Sequence, residues 1–131
     1  MNLNRYKPII ENINRVALST HENPDGDGLG CAAAMYHFYK NKNIDCKIIL
    51  PTSLPHEFEF LEKGSMFYLY SSETMDSWLK DVDLIIIFDV GDINRLRDIR
   101  GAIQKYNLPS LNIDHHTLVD GSLFTYNLVD T

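Results

Sequence analysis

Apolar positions recur along the chain in two alternating rhythms, one helical and one extended. Residues 3 to 14 set Tyr6, Ile9, Ile10 and Ile13 at helical spacing, which predicts an amphipathic opening helix. Arg15 to Thr20 (RVALST) predicts a strand that runs straight into HENPDGDG, where proline and glycine end regular structure. Leu29 to Tyr39 (LGCAAAMYHFY) lacks proline and brings Ala32, Ala33, Tyr36 and Tyr39 onto related faces, as in a helix packed closely on a sheet. Asp45 to Leu50 (DCKIIL) predicts a second strand, Pro51 to Lys63 a short helix through HEFEFLEK, Met66 to Tyr70 a third strand, and Asp76 to Lys80 a helical turn. The run Asp83 to Val90 (DLIIIFDV) is continuously apolar and suits a central strand covered on both faces. Ile93 to Tyr106 carries a helical pattern despite Gly101, Pro109 to Ile113 (PSLNI) predicts a strand leading into Asp114-His115-His116, and Leu123 to Val129 a final strand.

Strands alternating with helices predict an α/β fold: a doubly wound, mainly parallel sheet with right-handed crossovers and helices on both faces. The 131 residues fit one domain, 1–131, with one core. In such sheets ligands bind beyond the carboxyl ends of the strands. Three clusters of acids and histidines follow different predicted strand ends and so converge on one edge: His21 to Asp27, Asp89, and Asp114 to His116.

Composition removes several functional classes. Hydrophobic residues make up 44% and charged residues 23%, an ordinary globular balance and too apolar for disorder. A net charge of −6 with 12 scattered Lys and Arg gives no basic stripe for a long duplex, although bound cations would reverse the local sign at the acidic clusters. Cys31 and Cys46 show no C-x-x-C spacing and are expected as reduced thiols, with Cys31 buried in the small-residue helix. With no apolar leader segment and no run near the ~20 residues of a membrane span, the chain is expected to be soluble and cytoplasmic.

In HENPDGD, a turn on Asn23-Pro24-Asp25-Gly26 with Asp27 capping the next helix would account for the residues without chemistry. The functional alternative is one imidazole and two carboxylates, from His21, Asp25 and Asp27, a donor mixture suited to Mn²⁺ or a similar divalent ion. A calcium loop fails because its twelfth position would be Ala34, and Gly26, Gly28 and Gly30 do not form G-x-G-x-x-G, since Cys31 stands where the third glycine belongs. Asp89 adjoins the apolar IIIF, where a carboxylate costs heavily unless it is paired or binds a cation. Asp92 fits a turn or cap, and Arg95 a phosphate contact. At Asp114-His115-His116 one imidazole can bind metal while the other faces substrate, with Asp114 orienting one of them. His37 is expected on a helix face and His56 in solvent. With no Ser-His-Asp or Cys-His pairing, the set points to two cations about 4 Å apart, bridged by a carboxylate, and to phosphoester hydrolysis.

These residues resemble the DHH phosphoesterase family, whose first motif resembles HENPDGD, whose second-motif aspartate corresponds to Asp89, and whose name-giving third motif corresponds to Asp114-His115-His116. The resemblance spans essentially the whole chain and is greatest to small bacterial oligoribonucleases that also remove phosphate from 3′-phosphoadenosine 5′-phosphate, and to cyclic dinucleotide phosphodiesterases. It implies one Mn²⁺ held by His21, Asp25 and Asp89 and another by Asp27, Asp89 and His115, with Asp89 bridging; Mg²⁺ or Co²⁺ would also suit. It further implies that His116 approaches the scissile phosphate, supported by Asp114, and that the partners are short RNA oligonucleotides or nucleotides, with no membrane partner and a homodimeric full-length parent.

Family members also carry a fourth-motif aspartate in a segment resembling T-D-T-G and a C-terminal substrate-binding domain. Neither has a counterpart here, so the chain is expected to be the N-terminal part of the DHH domain, with an incomplete second metal site and weak turnover alone. Rival readings are a receiver-like signalling domain with Asp89 as phosphoacceptor, which leaves the histidines unexplained, and an inactive scaffold fragment. Single-strand DNA exonucleases and inorganic pyrophosphatases are alternative branches of the same family.

Overall fold

Successive residues of the central strands enter two separate apolar layers, and this alternation builds the molecule. Val16, Leu18, Ile48, Leu50, Leu84, Ile86 and Phe88 join one layer; Ala17, Ile49, Ile85 and Ile87 join the other. A sheet buried on both faces needs helices on both, and the chain supplies them. A computed structural model of the chain describes residues 3–116 and 121–130.

Six parallel strands, β1 (Arg15–Thr20), β2 (Asp45–Leu50), β3 (Phe67–Leu69), β4 (Leu84–Phe88), β5 (Ser110–Asp114) and β6 (Tyr126–Val129), lie in the order β3-β2-β1-β4-β5-β6. The order reverses direction between β1 and β4, which are registered Val16 to Leu84 and Thr20 to Phe88. Crevices at such a switch point are where ligands bind in open α/β sheets. The α/β fold, the parallel sheet and the central place of β4 are therefore as the sequence predicted.

Helices α1 (Lys7–Glu11) and α2 (Gly26–Asn41) cover the first layer, while α3 (Ser72–Leu79) and α4 (Asp98–Lys105) cover the second. Among the described residues no helix is long and apolar enough to cross a membrane.

Several boundaries differ from expectation for local reasons. The opening helix is shorter than residues 3 to 14: a 3-10 turn at Leu3–Arg5 precedes α1, which carries Pro8 in its first turn. α2 starts at Gly26 rather than Leu29 because Asp25, not Asp27, is its N-cap, accepting from the Gly28 N–H at 3.4 Å. The residues expected to form a turn at 76–80 extend back to Ser72, since Ser71 caps the helix through the Thr74 N–H at 3.3 Å. The expected 93–106 helix is split: a 3-10 turn, Ile93–Leu96, is capped by Asp92, and Arg97 with φ 52° separates it from α4.

The face that α2 buries corrects the expectation for Cys31. Its buried stripe is Gly28, Leu29, Ala32, Ala33 and Tyr39, so Cys31 falls outside it and is exposed, whereas Cys46 in β2 is buried.

Candidate metal centre

Three strand ends meet at the switch point. His21 follows β1, Asp89 follows β4, and Asp114 closes β5 just before His115 and His116. The loop after β1 is pinned by the approach of α2: a Cβ on Gly28 would stand 2.1 Å from Thr20 Oγ1, which itself donates to Phe88 O at 2.7 Å. Glycine lets the first turn of α2 lie on the end of β1, and this carries Asp25 to the strand ends. Pro24 is buried beneath the turn, while the Asn23 N–H donates to Thr52 Oγ1 at 2.8 Å.

Asp89 leaves β4 with φ 65°, the left-handed region that L side chains rarely enter. Its N–H donates to Ile113 O at 3.0 Å, so the ladder continues up to the turn. The side chain, 7% exposed, then stands among three imidazoles. Asp89 Oδ2 lies 3.5 Å from His21 Nε2; Asp89 Oδ1 lies 3.0 Å from His115 Nε2 and 3.4 Å from His116 Nδ1. Asp25 Oδ2 is 3.8 Å from the same His21 Nε2.

Each ring has one nitrogen committed elsewhere or shared. His21 Nδ1 lies 2.6 Å from Glu22 O; a carbonyl only accepts, so Nδ1 carries a proton, and Nε2 is the nitrogen that faces the Asp25 and Asp89 carboxylates. His116 Nδ1 is 2.8 Å from Asp114 Oδ1, and the same oxygen accepts the His115 N–H at 2.8 Å. Asp114 therefore orients both members of the pair, whose rings lie 4.1 Å apart between centroids. That hydrogen bond raises the His116 pKa above its ordinary value against partial burial, with the Asp114, Asp89 and Asp25 charges adding to it. Asp25 experiences burial that opposes ionisation, yet the Gly28 N–H, the His21 charge and further hydrogen bonds leave its pKa below the usual value.

Donor atoms gather into two sets, His21 with Asp25 and Asp89, and Asp89 with Asp114, His115 and His116, each within 4.8 Å. Asp89 belongs to both. Asp27, expected beside Asp89 and His115, joins neither set and instead lines the adjoining cavity of about 330 Å³ with Cys31, Phe88, Asp89, Asp114 and His115. Asp130, not among the expected ligands, lines the same cavity and donates its N–H to Asp114 O at 3.1 Å. Arg95 directs Nη2 to Glu22 O at 3.2 Å. His37 is exposed on α2 and His56 is exposed beside Glu59, as expected.

The donor set fits divalent cations. Asp114 Oδ2 is buried without a hydrogen-bond partner, and three carboxylates converge with no Lys or Arg in ion-pair contact with them among the described residues. Asp89 and Asp114 are buried while Asp25 stands at the open side; buried anions so placed need a cation, and mixed imidazole and carboxylate oxygen suits Mn²⁺ and its neighbours.

Comparison with known proteins places the same residues in one lineage. The model for the DHH family, N-terminal domain, matches residues 15–130. The bifunctional oligoribonuclease and PAP phosphatase NrnA of Mycoplasma genitalium is 26% identical over 126 residues, which cover 92% of this chain and 36% of that protein. An exopolyphosphatase-related protein from Bacteroides fragilis superposes with a TM-score of 0.84 at 20% identity, over 98% of this chain and 38% of that one. The chain thus spans little more than a third of either relative.

Proposed function

The chain belongs to the DHH family, and from that premise we propose that it forms the metal-holding core of a phosphoesterase acting on short oligoribonucleotides or related nucleotides. Substrates such as pApA, 3′-phosphoadenosine 5′-phosphate or cyclic dinucleotide products are the class proposed; the oligoribonuclease and PAP phosphatase activities in the name of the Mycoplasma relative support the first two. The observation that carries the reading is Asp89, one buried carboxylate shared by two sets of donors.

We assign His21, Asp25 and Asp89 to one Mn²⁺ and Asp89 with His115 to a second, with Asp27 at the cavity wall as its further acid; Mg²⁺ or Co²⁺ would serve the same donors. Two such ions supply charge neutralisation at a phosphoryl group and lower the proton affinity of water. The protein's own groups hold and orient. His116, fixed at Nδ1 by Asp114, offers Nε2 to a phosphoryl oxygen. Asp114 acts through both histidines as a positioning residue. The net charge of −6 favours small, ion-neutralised substrates over long duplexes.

The test is Mn²⁺ titration of the chain by electron paramagnetic resonance, followed by assays on pApA and 3′-phosphoadenosine 5′-phosphate with Mn²⁺. Saturable Mn²⁺ binding that is lost in Asp89→Ala is expected. Absence of binding, or phosphorylation of Asp89 by a small phosphodonor, would overturn the assignment.

A further inference from the structure

Glu22 sits between a metal ligand and the Asn23 turn, and two arginines from the segment after Asp89 hold it. Its N–H donates to Arg95 O at 2.8 Å, and its carbonyl oxygen accepts from Arg95 Nη2 at 3.2 Å. The same oxygen accepts from His21 Nδ1 at 2.6 Å. Its carboxylate pairs with Arg97 Nε. Arg97 makes this pair from a φ of 52°, a conformation rare for non-glycine residues, at the break between the 3-10 turn and α4.

We infer that Glu22, Arg95 and Arg97 form a clamp across the switch point that fixes His21 as the Nδ1–H tautomer and presents its Nε2 to the metal. A ligating histidine almost always donates its other ring N–H to an outer partner, and such partners set tautomer, ring orientation and ligand basicity. Here the holding group is a backbone carbonyl, which by itself would follow any movement of the loop. Arg95 holds the Glu22 backbone on both sides of its Cα, accepting from the N–H through its own carbonyl and donating to the C=O through its guanidinium, and Arg97 anchors the side chain of the same residue. The loop bearing His21 and Asp25 is therefore tied to the segment that follows Asp89, so ligands from β1 and β4 keep one spacing. Arg95, a phosphate contact on sequence grounds, is in this arrangement a positioning residue.

The inference rests on the metal-holding reading of the site, so its test begins without metal. Long-range ¹H–¹⁵N spectra of the histidine-labelled, metal-free chain read the His21 tautomer directly. Wild type should show Nδ1–H; Arg95→Ala should show a mixture of tautomers, and Mn²⁺ affinity should fall by about 10-fold, the lower end of losses for outer partners. Arg97→Glu should weaken Mn²⁺ binding, and the charge-swapped double variant Glu22→Arg with Arg97→Glu should recover it, a rescue that a general packing defect would not give. Unchanged tautomer and Mn²⁺ affinity in both single variants would overturn the clamp. So would a loss confined to phosphate affinity in Arg95→Ala, which would return that residue to substrate contact. Failure of the metal reading is separate: the wild-type chain would then bind no Mn²⁺ whatever the tautomer.

Discussion

Asp89 Oδ2 lies 3.5 Å from His21 Nε2, across the point where the strand order reverses. The gap is too wide for a good hydrogen bond and is bordered by the Asp25 carboxylate, so the pair is better suited to flanking an ion than to bonding each other. Asp89→Asn keeps the volume and removes the charge from both donor sets. Mn²⁺ affinity should fall by more than about 100-fold, beyond the ~10–100-fold that outer partners cost. Without metal the substitution should leave the urea midpoint unchanged or higher, because it relieves a buried carboxylate beside Asp25 and Asp114. Near-normal Mn²⁺ binding in this variant would remove Asp89 from the bridging role.

Gly28 offers a test of how the loop after β1 is placed. An alanine there would bring Cβ to 2.1 Å from Thr20 Oγ1 and 3.0 Å from Thr20 Cβ, against a hydroxyl already bonded to Phe88 O. Overpacking of this kind costs about 1–3 kcal/mol. Gly28→Ala should therefore lower the urea midpoint and weaken Mn²⁺ binding together, since α2 must shift away from the strand end and take Asp25 with it. Gly30→Ala, where nothing lies within 4 Å, is the control: it should leave Mn²⁺ binding unchanged and raise the urea midpoint slightly, since alanine is the better residue inside a helix. Equal behaviour of the two variants would show that the contact at Gly28 does not position the site.

Much of this arrangement was legible in the sequence because two signals coincide. Apolar runs such as LIIIF mark strands buried on both faces, and the acids and histidines stand at the ends of those runs, where a parallel sheet must bring them together. The exposure of Cys31 was hidden because its small neighbours Ala32 and Ala33 do face the sheet, whereas Cys31 itself points away from their stripe. Glu22 and Arg97 were hidden for another reason. They are 75 positions apart, and only the adjacency of β1 and β4 brings them into contact. Asp130 likewise reaches the cavity through the pairing of β6 with β5.

The two cysteines should differ in reactivity, and one of them should make stability fall in alkali. Burial raises the Cys46 thiol from 9.0 to about 12, against the opposing pull of Lys40 and with Asp45 adding to the rise. A raised pKa of this sign means that the folded state keeps the proton which the unfolded chain loses first. Its contribution is fully present below about pH 9 and declines as the pH rises towards 12. The Tyr39 phenol, buried and donating to Ile10 O at 2.9 Å, shifts in the same direction and for the same first cause. The urea midpoint should therefore drop between about pH 9 and pH 12, and Cys46→Ala should show a shallower drop while Tyr39 retains its share. At about pH 8 an aryl disulfide reagent should titrate one thiol in the folded chain, the exposed Cys31, and two after unfolding. Cys31 should itself react slowly for an exposed thiol, since partial burial and the Asp89 and Asp27 charges raise its pKa. Two rapidly reacting thiols in the native chain, or identical alkaline slopes in the parent and Cys46→Ala, would contradict the burial of Cys46 on which both expectations depend.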